Sequence, residues 1–163
     1  MISKSTIFPV CVFFLLSLMP VVASAGQDES DVLAIADKAL DRISAEDTIG
    51  LTDLMLEETV LFSSAVHDGE YRVRARTYLE ERGMKLDQDL EERGFNPVVM
   101  VAGPIAMVWY PYDFYLDGEW SHCGVDIFNL VRTNDGWRIA SMTWSAEQPP
   151  DCAAHPEGPP VSP

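Results

Sequence analysis

From Val32 onward apolar residues recur at three- and four-residue steps: Val32, Ile35, Ala36, Ala39, Leu40 and Ile43, with Asp37, Lys38 and Asp41 opposite them. That period predicts an amphipathic helix over residues 31–45, with Ser30 as its N-cap and Asp31 in its first turn. A second, short helical piece is expected from Thr48 to Leu56, weakened by Gly50. The period then changes to two. Thr59–Val66 and Glu70–Ala75 are rich in β-formers and flank His67-Asp68-Gly69, the pattern of a hairpin. In its second arm Arg72, Arg74 and Arg76 share one face, and Tyr71, Val73 and Ala75 share the other. A solvated basic face is the plainer reading of those arginines, and an anion site is the sharper one.

Helix formers dominate from Arg76 to Arg93, with Tyr78, Leu79, Leu86 and Leu90 as apolar anchors. A further helix is expected there, interrupted at Gly83 and capped by Gly94. Pro97–Ala102 reads as a short strand ended by Gly103-Pro104. Three long strands follow: Ile105–Leu116, Glu119–Arg132 and Trp137–Ser145. Asp117-Gly118 joins the first two and Asn134-Asp135-Gly136 the last two, so every Asp-Gly in the chain falls between strand-like runs. Helices followed by an antiparallel meander predict an α+β domain, a strongly curved sheet wrapped over helices with a pocket between them.

The ends read differently. Met1–Lys4 is a basic lead, Ile7–Val22 an apolar run broken by Pro9 and Pro20, and Ala23-Ser24-Ala25 an A-x-A cleavage site. Residues 1–25 are therefore expected to be a signal peptide, with export to the periplasm or medium; Cys11 is lost with it, and no membrane association is expected after cleavage. The domain is expected over 26–146, and a Pro-rich tail over 147–163 that cannot build a core. Removing the leader takes away Lys4 and no acid, moving the net charge from −15 to −16. Such an acidic chain is repelled by nucleic acid and by anionic membranes. In an oxidising compartment Cys123 and Cys152 read as a disulfide, worth about 3–4 kcal/mol in the chain-entropy picture. The alternatives are a buried Cys123 packed as a small apolar residue, or a metal pair. No C-x-x-C spacing supports the metal, and His67, His122 and His155 are not at ligand spacing.

The stretch His122-Cys-Gly-Val-Asp-Ile-Phe-Asn-Leu-Val-Arg132, followed by Asp135-Gly-Trp-Arg-Ile139, resembles the last hairpin of small nuclear transport factor 2-like proteins, the superfamily of ketosteroid-isomerase-like and SnoaL-like folds. The resemblance covers about residues 30–146. It implies a cone with a central pocket. It does not imply one activity, since that fold serves isomerases, cyclases, epoxide hydrolases, dehydratases and plain binding or assembly modules.

Alternation places His122, Gly124, Asp126, Phe128 and Leu130 on one strand face, with Phe128 and Leu130 pointing that face toward the core. Asp126 and His122 are the candidate catalytic pair. Four residues of strand hold them about 13 Å apart, so they would act at different points on a ligand. A desolvated Asp has a raised pKa and serves as a base, while Tyr110, Tyr112 or Tyr115 could donate to a developing enolate oxygen. In the preceding strand Pro111 leaves the register open. Trp109, Tyr110, Tyr112, Asp113 and Tyr115, together with Phe128, are the candidate ligand-binding residues, with the facing undecided. Asp126 as a structural ion-pair partner and His122 as a solvated rim residue are the bland alternatives. No phosphate-binding Gly-rich loop, nucleophile elbow or other cofactor motif occurs, and no cofactor is expected. The expected function is binding of a small apolar or aromatic molecule. The alternatives are an isomerase, cyclase or dehydratase using Asp126 and His122, and a module that homodimerises through the outer face of its sheet, as the resemblance implies.

Overall fold

A computed structural model describes residues 25–160. The expected signal peptide lies outside them except for Ala25, which opens the first helix. That helix, α1 (Ala25–Ser44), starts before Ser30, so the expected cap lies inside it. Its stripe is buried as the periodicity requires: Val32, Ala36 and Ala39 are fully enclosed, and Leu33, Ile35 and Ile43 pack against the same core. A short α2 (Thr48–Thr52) is capped by Asp47, whose side chain accepts from Gly50 N at 2.7 Å. It ends earlier than expected, and β1 (Met55–His67) takes over because Met55 pairs with Ile139 of the last strand.

The hairpin β1–β2 (Glu70–Thr77) turns at Asp68-Gly69, and the hairpin of Ile105–Leu116 and Glu119–Thr133 turns at Asp117-Gly118. In both turns the two central residues have positive φ, 55° and 77° in the first and 51° and 78° in the second, as a two-residue turn matched to strand twist demands. The meander is β4 (Val98–Ala102), β5 (Ile105–Leu116), β6 (Glu119–Thr133) and β7 (Gly136–Ala146), close to its sequence-based limits.

One expectation fails. The helix expected over Arg76–Arg93 shrinks to α3 (Tyr78–Arg82), opened by a Thr77–Glu80 capping box and closed at Gly83. After an irregular stretch, Leu90–Gly94 is a strand, β3, antiparallel to Tyr112–Leu116 of β5. Pairing with β5 overrides the helix propensity of Leu-Glu-Glu-Arg, and Gly94 caps nothing. A Cβ there would come within 2.4 Å of the Tyr110 ring and 2.6 Å of Leu40 Cδ1, so a glycine is required by close approach.

The seven-stranded sheet runs β2-β1-β7-β6-β5-β3, with β4 beside the other half of β5; β1 and β7 are parallel and all other pairs antiparallel. Pro111 does not shift the register: Tyr110, Pro111 and Tyr112 face Asp126, Val125 and Gly124 without interruption. The shift comes at Ser121, between the Phe114–His122 and Tyr115–Trp120 pairs. On the concave side one end of the cone is filled by Val108, Phe128, Leu130, Ile139, Met142 and Leu61, under α1. The other end stays open.

Candidate functional site

The open end is a cavity of about 470 Å³, within the usual range for small-molecule sites. Its inner part is built by β3, β5 and β6, which bring Glu92, Tyr112, Phe114, His122 and Asp126 together. Leu51, Leu61, Met142 and Trp144 give apolar wall, and Arg42, Glu46, Arg74 and Gln88 also border it.

Asp126 is fully buried, and neither carboxylate oxygen meets a hydrogen-bond partner among the described residues. An unpaired carboxylate in such a place is costly, so its proton is held. Burial pushes its pKa well above the ordinary range, and the charge of the neighbouring Glu92 carboxyl pushes the same way. Glu92 is likewise buried, its backbone N–H donating to Ser44 Oγ at 2.9 Å. Burial pushes its carboxyl up to about 7. The two titrate as a pair, which near neutral pH offers one acid and one base.

His122 stacks on Phe114, with ring centroids 4.5 Å apart, and meets Tyr112 edge-on at 5.8 Å. Burial lowers its pKa, favouring the neutral imidazole. Tyr112 donates its hydroxyl to Ser145 O at 2.7 Å; burial, then Asp126 and Glu92, raise its pKa and keep it a phenol. The same carbonyl closes over Gly124, where a Cβ would lie 2.2 Å from it. Gly124 therefore lets the end of β7 approach β6 closely between His122 and Asp126. Arg76 pairs with the buried Glu81 at 2.7 Å and lies over the Trp144 ring at 5.2 Å. The arginine face of β2 is thus partly cavity wall rather than a wholly solvated surface.

Of the residues singled out from sequence, Asp126, His122 and Tyr112 line this cavity. Phe128 and Tyr110 belong to the core on the same sheet face, and Tyr110 donates to Asp37 Oδ1 at 2.8 Å. Neither lines the cavity. Trp109, Asp113 and Tyr115 lie on the convex face, because β5 alternates and its Val108–Tyr110–Tyr112 side is the inward one. There Arg93 grips Asp113 at 3.0 and 2.7 Å and covers the Tyr115 ring. The tyrosine hydroxyls expected to serve as enolate donors are accordingly committed elsewhere or point away. Glu92 was missed, because the sequence around it reads as helix; the alternation of buried Leu90 and Glu92 is its only local signal. The disulfide Cys123–Cys152 is present, with Cα atoms 5.8 Å apart, and Glu147 bridges Cys123 through backbone bonds of 2.8 and 3.1 Å. Among the described residues no cluster of three or more metal-ligating side chains occurs.

No protein-family model matches the sequence, and no curated protein is significantly similar to it. Solved structures do match in shape. The β subunit of a proposed aromatic-ring-hydroxylating dioxygenase from Novosphingobium aromaticivorans superposes with a TM-score of 0.65 at 13% identity, covering 77% of this chain and 93% of that one. A nuclear transport factor 2-like protein of unknown function from Pseudomonas putida gives 0.59 at 15% identity over 85% and 99% of the two chains. A proposed dehydratase of the nuclear transport factor 2-like family from Streptomyces avermitilis gives 0.57 at 19% over 76% and 98%. At these identities the likeness concerns architecture. The chain has the cone-shaped nuclear transport factor 2-like fold, also described as cystatin-like, in agreement with the resemblance drawn from its last hairpin.

Proposed function

We propose that this protein binds a small, largely apolar molecule in the cone and moves a proton on it with the Asp126–Glu92 pair, as an isomerase or dehydratase would. The observation that carries this reading is Asp126, fully buried against a cavity with both oxygens unpartnered among the described residues. A fold gains nothing from such a group unless a ligand supplies what it lacks. In the singly protonated pair, the ionised carboxyl takes a proton from the carbon beside a carbonyl. The electron pair moves onto the carbonyl oxygen, and the protonated carboxyl donates to it. His122, neutral and stacked, orients the ligand or relays a proton at the other side of the cup.

Washout of deuterium from α-deuterated apolar ketones, followed by proton NMR, tests this. Washout faster than buffer that falls by about 100-fold in Asp126→Asn supports the reading. Ketones that shift cavity resonances but exchange no faster than in buffer would leave a binding protein without catalysis.

A second reading is favoured by the convex face, where Val98, Met100, Ile105 and Trp109 are 43–58% exposed on paired strands β4 and β5. Such a patch suits a second copy of this chain, and a monomeric species by light scattering at high concentration would count against it. Export is proposed as well. It is supported by the disulfide and the leader-like residues 1–25, while no helix among the described residues is long and apolar enough to cross a membrane. An N-terminus near Gly26 in the exported fraction tests it.

A further inference from the structure

Four strands carry one transverse row of side chains across the concave face. Asp126 pairs with Trp144, Trp144 with Ser63, and Ser63 with Arg74. Directly paired residues share a face, so an acid stands at one end of the row and an arginine at the other. Three strand spacings separate their backbones, about 14 Å before curvature. Both ends line the same cavity: Asp126 is its fully buried inner end and Arg74 is exposed at its rim.

The other cavity arginines are already neutralised. Arg42 pairs with Asp47 and Arg76 with Glu81, each at 2.7 Å. Arg74 makes no ion pair or side-chain hydrogen bond among the described residues. One uncompensated guanidinium, in a chain of net charge −15 and on a cavity that Glu46 also borders, suits a single negative charge and disfavours polyanions. A planar carboxylate matches the guanidinium fork, and Trp144, Met142 and Leu61 give the apolar walling between the ends.

We propose that the ligand is an apolar carboxylate, one or two rings long, whose anionic group is received by Arg74 while its far end meets Asp126 and Glu92. This rests on the cavity being a ligand site, as proposed above, and adds the chemical class and the orientation. Arg74 then fixes which end of the molecule enters first.

The test uses two probes of equal shape, 2-naphthylacetate and 2-naphthylacetamide, titrated by NMR into the disulfide-bonded protein at low ionic strength. The expected result is acetate binding about tenfold tighter than amide, with shifts centred on Trp144 and Asp126. Arg74→Gln, a substitution at an exposed side chain that should not disturb folding, removes that preference. Equal binding of the two probes in the wild-type protein would overturn the carboxylate assignment while the cavity remained a ligand site. A preference retained in Arg74→Gln would overturn the role of Arg74. Binding of neither probe at millimolar concentration would overturn the ligand-site reading and this inference with it.

Discussion

Two aspartates on neighbouring strands, Asp113 and Asp126, are both fully buried and have opposite surroundings. Asp113, on the convex face, accepts from Arg93 Nε at 3.0 Å and Nη2 at 2.7 Å, and from the backbone N–H of His155 at 3.0 Å. Asp126, on the concave face, accepts nothing in hydrogen-bond geometry among the described residues. A carboxylate with three donors has its acceptor capacity met by the protein itself. One with none keeps its proton, or waits for a partner from outside. Burial alone is therefore a poor guide to function, and partner count separates a structural acid from a candidate reactive one.

The largest effect should come from the satisfied member. Asp113→Ala leaves Arg93, only 19% exposed, without its counter-charge and removes the acceptor that fastens the tail at His155. A loss of about 3–5 kcal/mol is expected in urea unfolding, with cleavage beyond Glu147 becoming faster in limited proteolysis. A change within 1 kcal/mol of wild type would mean that the ion pair is idle and that the contrast with Asp126 has no energetic content.

The tail has a second fastening. The Cys123–Cys152 bond joins residues 29 apart in sequence, which in the chain-entropy picture corresponds to about 3–4 kcal/mol. Cys152→Ser should cost about that much. It should also loosen the Glu147–Cys123 bridge next to His122, so broadened His122 resonances are the accompanying sign. Unchanged His122 signals with the expected loss of stability would confine the disulfide to the convex side.

The meander and its Asp-Gly turns were legible in the sequence because two local rules, alternation and left-handed turn residues, act within a few residues of each other. The facing of β5 was not. Tyr110, Tyr112 and Phe114 on one side look much like Trp109, Asp113 and Tyr115 on the other, and both sides are covered, one by α1 and the cavity walls, the other by Arg93 and the tail. Only the arrangement of those covers distinguishes the faces. For β3, short-range propensity pointed the wrong way: Leu90-Glu-Glu-Arg-Gly94 becomes a strand because β5 presents an open edge 20 residues further on. That hid Glu92, the second half of the acidic pair. Asp126 itself was visible, but its lack of a partner was not, since an absent contact leaves no mark on a local pattern.

The smallest of these effects, and the most direct comparison of the two acids, is how stability varies with pH. In the unfolded chain Glu92 ionises near 4.5, whereas in the folded protein burial moves it up to about 7. Between those values the folded state holds the extra proton, so raising the pH favours unfolding. The stability linked to this proton is fully present below about pH 4.5 and is lost as pH rises through about 7. The raised pKa of Asp126 acts in the same direction. The wild-type protein should therefore lose about 2–3 kcal/mol between pH 5 and pH 8. Glu92→Gln, which cannot ionise, should flatten that slope and exceed the wild type in stability at pH 8. Asp113→Ala should keep the slope while lowering the whole curve, because its carboxyl lies outside the cavity pair. A wild-type curve that rises over this interval would show that Glu92 and Asp126 are ionised in the folded protein without difficulty. The distinction between the two buried aspartates would then rest on geometry alone.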